Sequence, residues 1–378
     1  MKTFTFYFFL LLLVIKSALA SETEATTRVL MLISGYGSEE QPALSYDLEE
    51  LAQAYLVLHD NGVKVDLVTP KGGPVLVKTN KDALAYIQRF KSVALTQLQN
   101  TLPAHAIDTR RYQGVFIVGG AGAMFDLPAD TATQHMLTEF VADNVTIAAV
   151  CHGPAAIADI TLPDGQFFVA GKQVNGFTNK EENAFSGEHI ASFPFLVQDR
   201  LTQNGGRFVY NHPMLPFVAV DGNLITAQNP PSVPRAAEML LLKLGITPQK
   251  RAIFNDEATM QLLADAHHSG ASVIDIAMAK KPDAYDLNYL ALYGFYAYPL
   301  AADEDKARAL DLMQTIAAYF QHPAYEAAMI KALCEQGRLR QARVALNTFL
   351  QRYPGHDDAP ALSALVNSHT PHSDQTTP

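Results

Sequence analysis

The chain has only two cysteines in 378 residues, Cys151 and Cys334. It has no cluster of Lys and Arg, and its formal net charge is −10. Beyond residue 15 no apolar stretch approaches the roughly 20 residues that a membrane span needs. Each shortage removes a class of protein. Two cysteines cannot staple a disulfide scaffold. A chain without a basic patch lacks the electrostatic footprint of a nucleic-acid binder, so no nucleic-acid partner is expected. Without a second long apolar run, no span is expected in the mature chain. A serine elbow of G-x-S-x-G type is missing. So is a phosphate loop, because the Gly-rich stretches KGGP (71–74) and VGGAGA (118–123) lack its Lys-Ser/Thr ending.

What is present is enough to build a large interior. Hydrophobic residues make up 48% and charged residues 17%. The length suits two domains better than one core. Residues 1–20, MKTFTFYFFLLLLVIKSALA, combine Lys2, an apolar run from Phe4 to Ile15 and the closing Ala18-Leu19-Ala20. That is the pattern of a secretory signal cleaved after Ala20. The mature protein is therefore expected to be exported, periplasmic or secreted. Oxidising compartments permit disulfides. The two cysteines fall in regions of different character, however, so a free thiol is expected at Cys151.

Residues 27–245 alternate strands with helices. RVLMLIS (28–34), VKVDLVTP (63–70), GVFIVGG (114–120) and TIAAVC (146–151) read as buried strands. LEELAQAYLVLHDNG (48–62), QHMLTEFVADN (134–144) and HGPAAIADI (152–160) read as helices. GRFVY (206–210) and VAVDGNLITAQ (218–228) add strands, the latter a hairpin on Asp221-Gly222. Such alternation predicts an α/β fold, a doubly wound parallel sheet with helices on both faces. Ligands bind beyond the carboxyl ends of strands in such sheets. Cys151, Gly119–Gly122 and the loop Ser34–Ser38 are expected there.

From about residue 250 the strand signal fades, and an all-α region is expected to 366. Ala309, Met313, Ile316 and Phe320 align with Ala342, Leu346, Phe349 and Tyr353. GRLRQARVALNTFLQRYPG (337–355) has the turn Gly, close-packing Ala and closing aromatic-Pro of a tetratricopeptide-like (TPR-like) unit. About two units are visible. A free-standing solenoid needs three, so this region is expected to lean on the α/β domain and to offer a surface to protein partners. Residues 367–378 are expected to be a disordered tail.

The decisive stretch is TIAAVCHGPAAIADI (146–160). A strand that ends in a nucleophile, turns sharply and enters a helix is a nucleophile elbow. It lifts the sulfur out of the sheet and leaves backbone N–H groups free for an oxyanion. It also sets the thiol at a helix N-terminus, which is expected to lower its pKa. Gly153, Ala155 and Ala156 let the helix pack closely. His267-His268 has no partner at ligand spacing, and no metal site is expected.

AAVCHGPAAI resembles the nucleophile elbow of the PfpI/ThiJ superfamily, the class I glutamine amidotransferase-like proteins. The likeness is closer to the glyoxalase III-type members, also described as chaperones and protein deglycases. FIVGGAGAMFDLP, GKQVNGFTNKEENA, PFLVQDRL and GNLITAQNPPS resemble further blocks in the same order, over residues 27–245. The resemblance implies a flavodoxin-like fold and a cofactor-independent lyase of D-lactate dehydratase type. Such an enzyme converts methylglyoxal or glyoxal to a hydroxy acid, or deglycates protein adducts, in a detoxification or stress response. It implies Cys151 as nucleophile and His152 as its neighbouring imidazole. It places a carboxyl against the thiol at Glu50, or at Glu49 if the register slips by one. A further acid falls on Glu182, with Glu181 as its neighbour. Gly120 and His152 would supply the backbone oxyanion donors. Ala121 stands where many relatives have His, which removes a side chain from substrate binding. A homodimer is the oligomer that the resemblance brings to mind. Two other readings stay open: a chaperone-like, protein-binding role through the C-terminal helices, and a Cys-dependent amidase or peptidase.

Overall fold

The computed structural model describes residues 27–78 and 81–368. The expected leader, residues 1–20, lies outside the described residues, as do residues 369–378 of the expected tail. The last helix runs Ala359–Ser368, so the first two residues of that tail are helical. Val366 is buried against the helical core and holds the final turn in place.

The apolar runs become the strands of a seven-stranded sheet: β1 (Arg28–Leu32), β2 (Lys64–Thr69), β3 (Leu102–Pro103), β4 (Gly114–Ile117), β5 (Thr146–Val150), β8 (Val218–Asp221) and β9 (Leu224–Ala227). Their order is β3-β2-β1-β4-β5-β9-β8. Every pairing is parallel except the β8–β9 hairpin, which turns on Gly222-Asn223. A second, two-stranded parallel pair joins β6 (Gln173–Val174) to β7 (Arg207–Phe208).

Successive residues of a strand point to opposite faces, and here both faces are covered. Val29, Met31 and Ile33 pack into one core with the helices Leu48–Asp60 and Val233–Lys243. Leu30 and Leu32 pack into another with the helix Thr131–Ala142. This is why the strands read as unbroken apolar runs.

From Asn255 the described chain is helical. Its long helices are Asn255–Ser269, Ser272–Lys280, Leu287–Leu300, Lys306–Ile316, Pro323–Glu335 and Leu339–Arg352, followed by the last helix. The aligned positions Ala309, Met313, Ile316, Ala342, Leu346 and Phe349 are all buried in one core. Met214 and Leu215, from the loop between β7 and β8, belong to that same core. Gln53 Nε2 donates to Asp256 and the Tyr289 hydroxyl to Glu49, at 2.5 and 2.6 Å. The helical region therefore leans on the α/β region through both apolar and polar contacts.

Candidate active site

The site stands at the carboxyl end of β5, an interior strand between β4 and β9. Cys151 follows it with φ of 56°, the left-handed region that a side-chain-bearing residue rarely adopts. Its N–H donates to Ala227 O at 2.8 Å, and its carbonyl accepts from Phe177 N at 2.9 Å. The strained residue is thus pinned from both sides, as expected at a functional turn. Gly153 completes the turn, because a Cβ there would lie 2.7 Å from Ile117 O.

A linear chain of side chains leaves the sulfur. Cys151 Sγ lies 3.3 Å from His152 Nδ1, and His152 Nε2 lies 3.0 Å from Glu182 Oε2. Ser186 Oγ donates to the other oxygen of Glu182. The Phe177 ring sits 4.7 Å from the imidazole, centroid to centroid. Glu182 lies in the first turn of the short helix Asn179–Phe185 and is buried. Its neighbour Glu181 points elsewhere. Glu181 closes a capping box with Thr178 and accepts from Met214 N, Gln228 Nε2 and Asn229 Nδ2. The structure brings Glu182 to the imidazole and gives Glu181 to the framework.

Glu50 approaches from the opposite side. Asp47 caps the Leu48–Asp60 helix by accepting from Glu50 N, and Asp47 N in turn donates to Gly119 O at 3.0 Å. This docks the helix start on the Gly-rich turn. Glu50 Oε2 accepts from Gly119 N at 2.8 Å. A Cβ on Gly119 would lie 2.7 Å from both Cys151 Cβ and Glu50 Oε2, and one on Gly120 would lie 2.4 Å from Asp47 N. Only glycine admits so close an approach. Glu49 faces away, held by Lys81 and Tyr289. Of the two acids, Glu50 is the one brought to the thiol.

One expectation is corrected. The helix after the elbow spans only Ala155–Ala158. Gly153 and Pro154 remain in the turn, and Asp159 ends the helix after one turn of dipoles. Burial, then the charges of Glu50 and Asp47, push the Cys151 thiol well above its ordinary value, while the Gly120 N–H acts the other way. Burial and Asp47 likewise push Glu50 well above the usual carboxylate range, against hydrogen bonds with Cys151 and Gly119. Desolvation and like charge outweigh a one-turn dipole. The Cys151 thiol and the Glu50 carboxyl are hydrogen-bonded to each other, so the pair can pass one proton between sulfur, carboxyl and a reacting carbonyl. The Gly120 N–H is directed at the Cys151 sulfur, beside the place where an oxyanion would develop on an attacked carbonyl.

Three contributors carried little or no sequence signal. Neither the charge of Asp47 on the thiol nor the placement of Phe177 and Tyr289 at the site had a local signal. A cavity of about 300 Å³ adjoins the site through Asp47 and Phe177. Lys78 and Lys81 line it from the α/β region, and Met260 and Tyr289 from the helical region. His267 has neighbours in space, His212 and Asp305, which lie 55 and 38 residues away in sequence, beyond the reach of spacing arguments.

The model of the DJ-1/PfpI family matches residues 28–243, from β1 to the end of the Val233–Lys243 helix. The chain belongs to the DJ-1/PfpI family. Within it, a glutathione-independent glyoxalase of Schizosaccharomyces pombe is 30% identical over 233 residues, covering 56% of this chain and 93% of the relative. A glutamine amidotransferase-like class 1 domain-containing protein of Bos taurus is 28% identical, covering 51% of this chain and 88% of the relative. The crystal structure of a rapid encystment protein of Francisella tularensis superposes with a TM-score of 0.53 at 26% identity, covering 58% of this chain and 99% of that one. The family match ends before the C-terminal helices begin.

Proposed function

We propose that this DJ-1/PfpI protein is a cofactor-independent glyoxalase of the glyoxalase III type, acting on methylglyoxal or glyoxal or on their protein adducts. The observation that carries the reading is the placement of the Cys151 sulfur between a buried carboxyl, Glu50, and the His152–Glu182 pair. A relative named a glutathione-independent glyoxalase supports the substrate class.

The residues perform the reaction in three steps. Cys151 sulfur attacks the aldehyde carbon of methylglyoxal, and the aldehyde oxygen gains a proton to give a hemithioacetal. Gly120 and His152 N–H groups stabilise the developing oxyanion. Glu50 then takes the proton from the former aldehyde carbon and returns it to the neighbouring carbon, while the oxygens exchange theirs through His152. The product is the lactoyl thioester, an isomer of the hemithioacetal. Water attacks this thioester with His152 as base, oriented by Glu182, and lactate leaves with the thiol restored. The test is lactate formation from methylglyoxal without glutathione, lost in Cys151→Ala.

A second reading rests on the same Cys151–His152–Glu182 chain, which is also an arrangement for amide hydrolysis. The two separate at Glu50. Isomerisation needs its proton transfer between carbons and hydrolysis does not, so amidase activity surviving in Glu50→Gln would favour the second.

A further inference from the structure

We propose that His212, His267 and Asp305 bind one divalent transition-metal ion of the zinc class, which clips the helical region to the α/β region. One ligand atom from each residue lies within 4.8 Å of the others. His212 Nδ1 is 3.6 Å from Asp305 Oδ2, and the two imidazole centroids are 4.0 Å apart. A tetrahedral ion with bonds of about 2 Å holds its ligand atoms a little over 3 Å apart, so closing the set requires movements of about 1 Å. Two imidazoles and one carboxylate suit zinc and its neighbours rather than calcium or magnesium.

A second observation points the same way. His267 is buried, with 7% of its surface exposed, yet its ring makes no hydrogen bond to another described residue. A neutral ring nitrogen with no protein partner is free to donate its lone pair to an ion. Half-exposed His212 leaves a path for the ion and a position for water. The opposing feature is Arg308, an exposed cation whose charge acts on His267 against that of Asp305.

The three residues come from three segments. His212 lies in the loop between β7 and β8, two residues before Met214, whose N–H holds Glu181. His267 is in the last turn of the helix Asn255–Ser269, and Asp305 precedes the helix Lys306–Ile316. A bound ion would therefore tie two helical segments to the loop that supports the acid pair beside the elbow. It takes no part in the chemistry at Cys151.

The test uses the untagged full chain carrying Cys151→Ser, so that the elbow thiol cannot ligate, after dialysis against a chelator. Zinc is titrated against a chromophoric competitor, cobalt(II) reports the ligand set by its visible spectrum, and the melting temperature is measured with and without zinc. The expected result is one ion per chain, a cobalt spectrum without a thiolate band, and a melting temperature several degrees higher with zinc. His212→Ala and Asp305→Asn, both at partly exposed positions, should each weaken binding at least tenfold. Arg308→Gln should tighten it. Absence of stoichiometric binding, or binding unchanged in His212→Ala and Asp305→Asn, would overturn the proposal.

Discussion

Nε2 of His152 lies 3.0 Å from Oε2 of Glu182, and both side chains are buried. The bond fixes the ring so that Nδ1 faces the Cys151 sulfur. Glu182→Gln keeps the shape but removes the charge that stabilises an imidazolium. It should lower kcat about 10- to 100-fold with little change in KM, since proton transfer and not binding is weakened. Steady-state kinetics on methylglyoxal decide this. An unchanged kcat would remove Glu182 from the proposed chain.

The adjacent acid should behave differently. Glu181 accepts hydrogen bonds from Thr178, Met214, Gln228 and Asn229 in a fully buried setting. Glu181→Ala leaves those donors unpaired, which should cost about 3 kcal/mol of stability. Urea unfolding of Glu181→Ala and Glu182→Gln side by side should show a large loss in the first and a smaller one in the second.

The thiol should titrate high. Burial and the charge of Glu50 both raise its pKa above the ordinary 9.0. In a Cys334→Ser background, the rate of alkylation by iodoacetamide should still climb at alkaline pH. Glu50→Gln removes a negative neighbour, so its rate near neutral pH should exceed that of the wild type. A wild-type profile that levels off below neutrality would mean that the imidazole and the turn outweigh burial.

Asp256 predicts a pH dependence of stability. Burial pushes its carboxyl up to about 6, and Glu49 adds to the shift, against the hydrogen bond from Gln53. The folded state thus holds the proton more tightly than the unfolded state. The stabilisation is fully present below the ordinary carboxyl pKa of 3.8 and is lost as pH rises through about 6. Asp256→Asn should match the wild type near the acid end and exceed it by about 3 kcal/mol at neutral pH. Melting temperatures across that range test the sign.

Much of the α/β region was legible because its strands are buried on both faces and read as plain apolar runs. Cys151 and His152 were legible because elbow residues are contiguous. Glu50 was reachable only through the matched block, and Glu181 could not be told from Glu182, since two adjacent acids on one short helix differ only in the direction they face. The thiol's high pKa was misread. A run of small residues looked like a full helix, but its charged surroundings come from Asp47 and Glu50, about 100 residues away. The His212–His267–Asp305 cluster spans 93 residues and three segments, so spacing could not reveal it.

The central claim is that Glu50 moves a proton on a substrate held by Cys151. Rapid quenching of the methylglyoxal reaction into hydroxylamine tests it, because hydroxylamine converts a thioester, but not a hemithioacetal, to lactohydroxamate. The wild type should yield lactohydroxamate, Cys151→Ala none, and Glu50→Gln an adduct of the same mass on Cys151 without it. Lactohydroxamate formed by Glu50→Gln at the wild-type rate, or by Cys151→Ala at all, would contradict the mechanism.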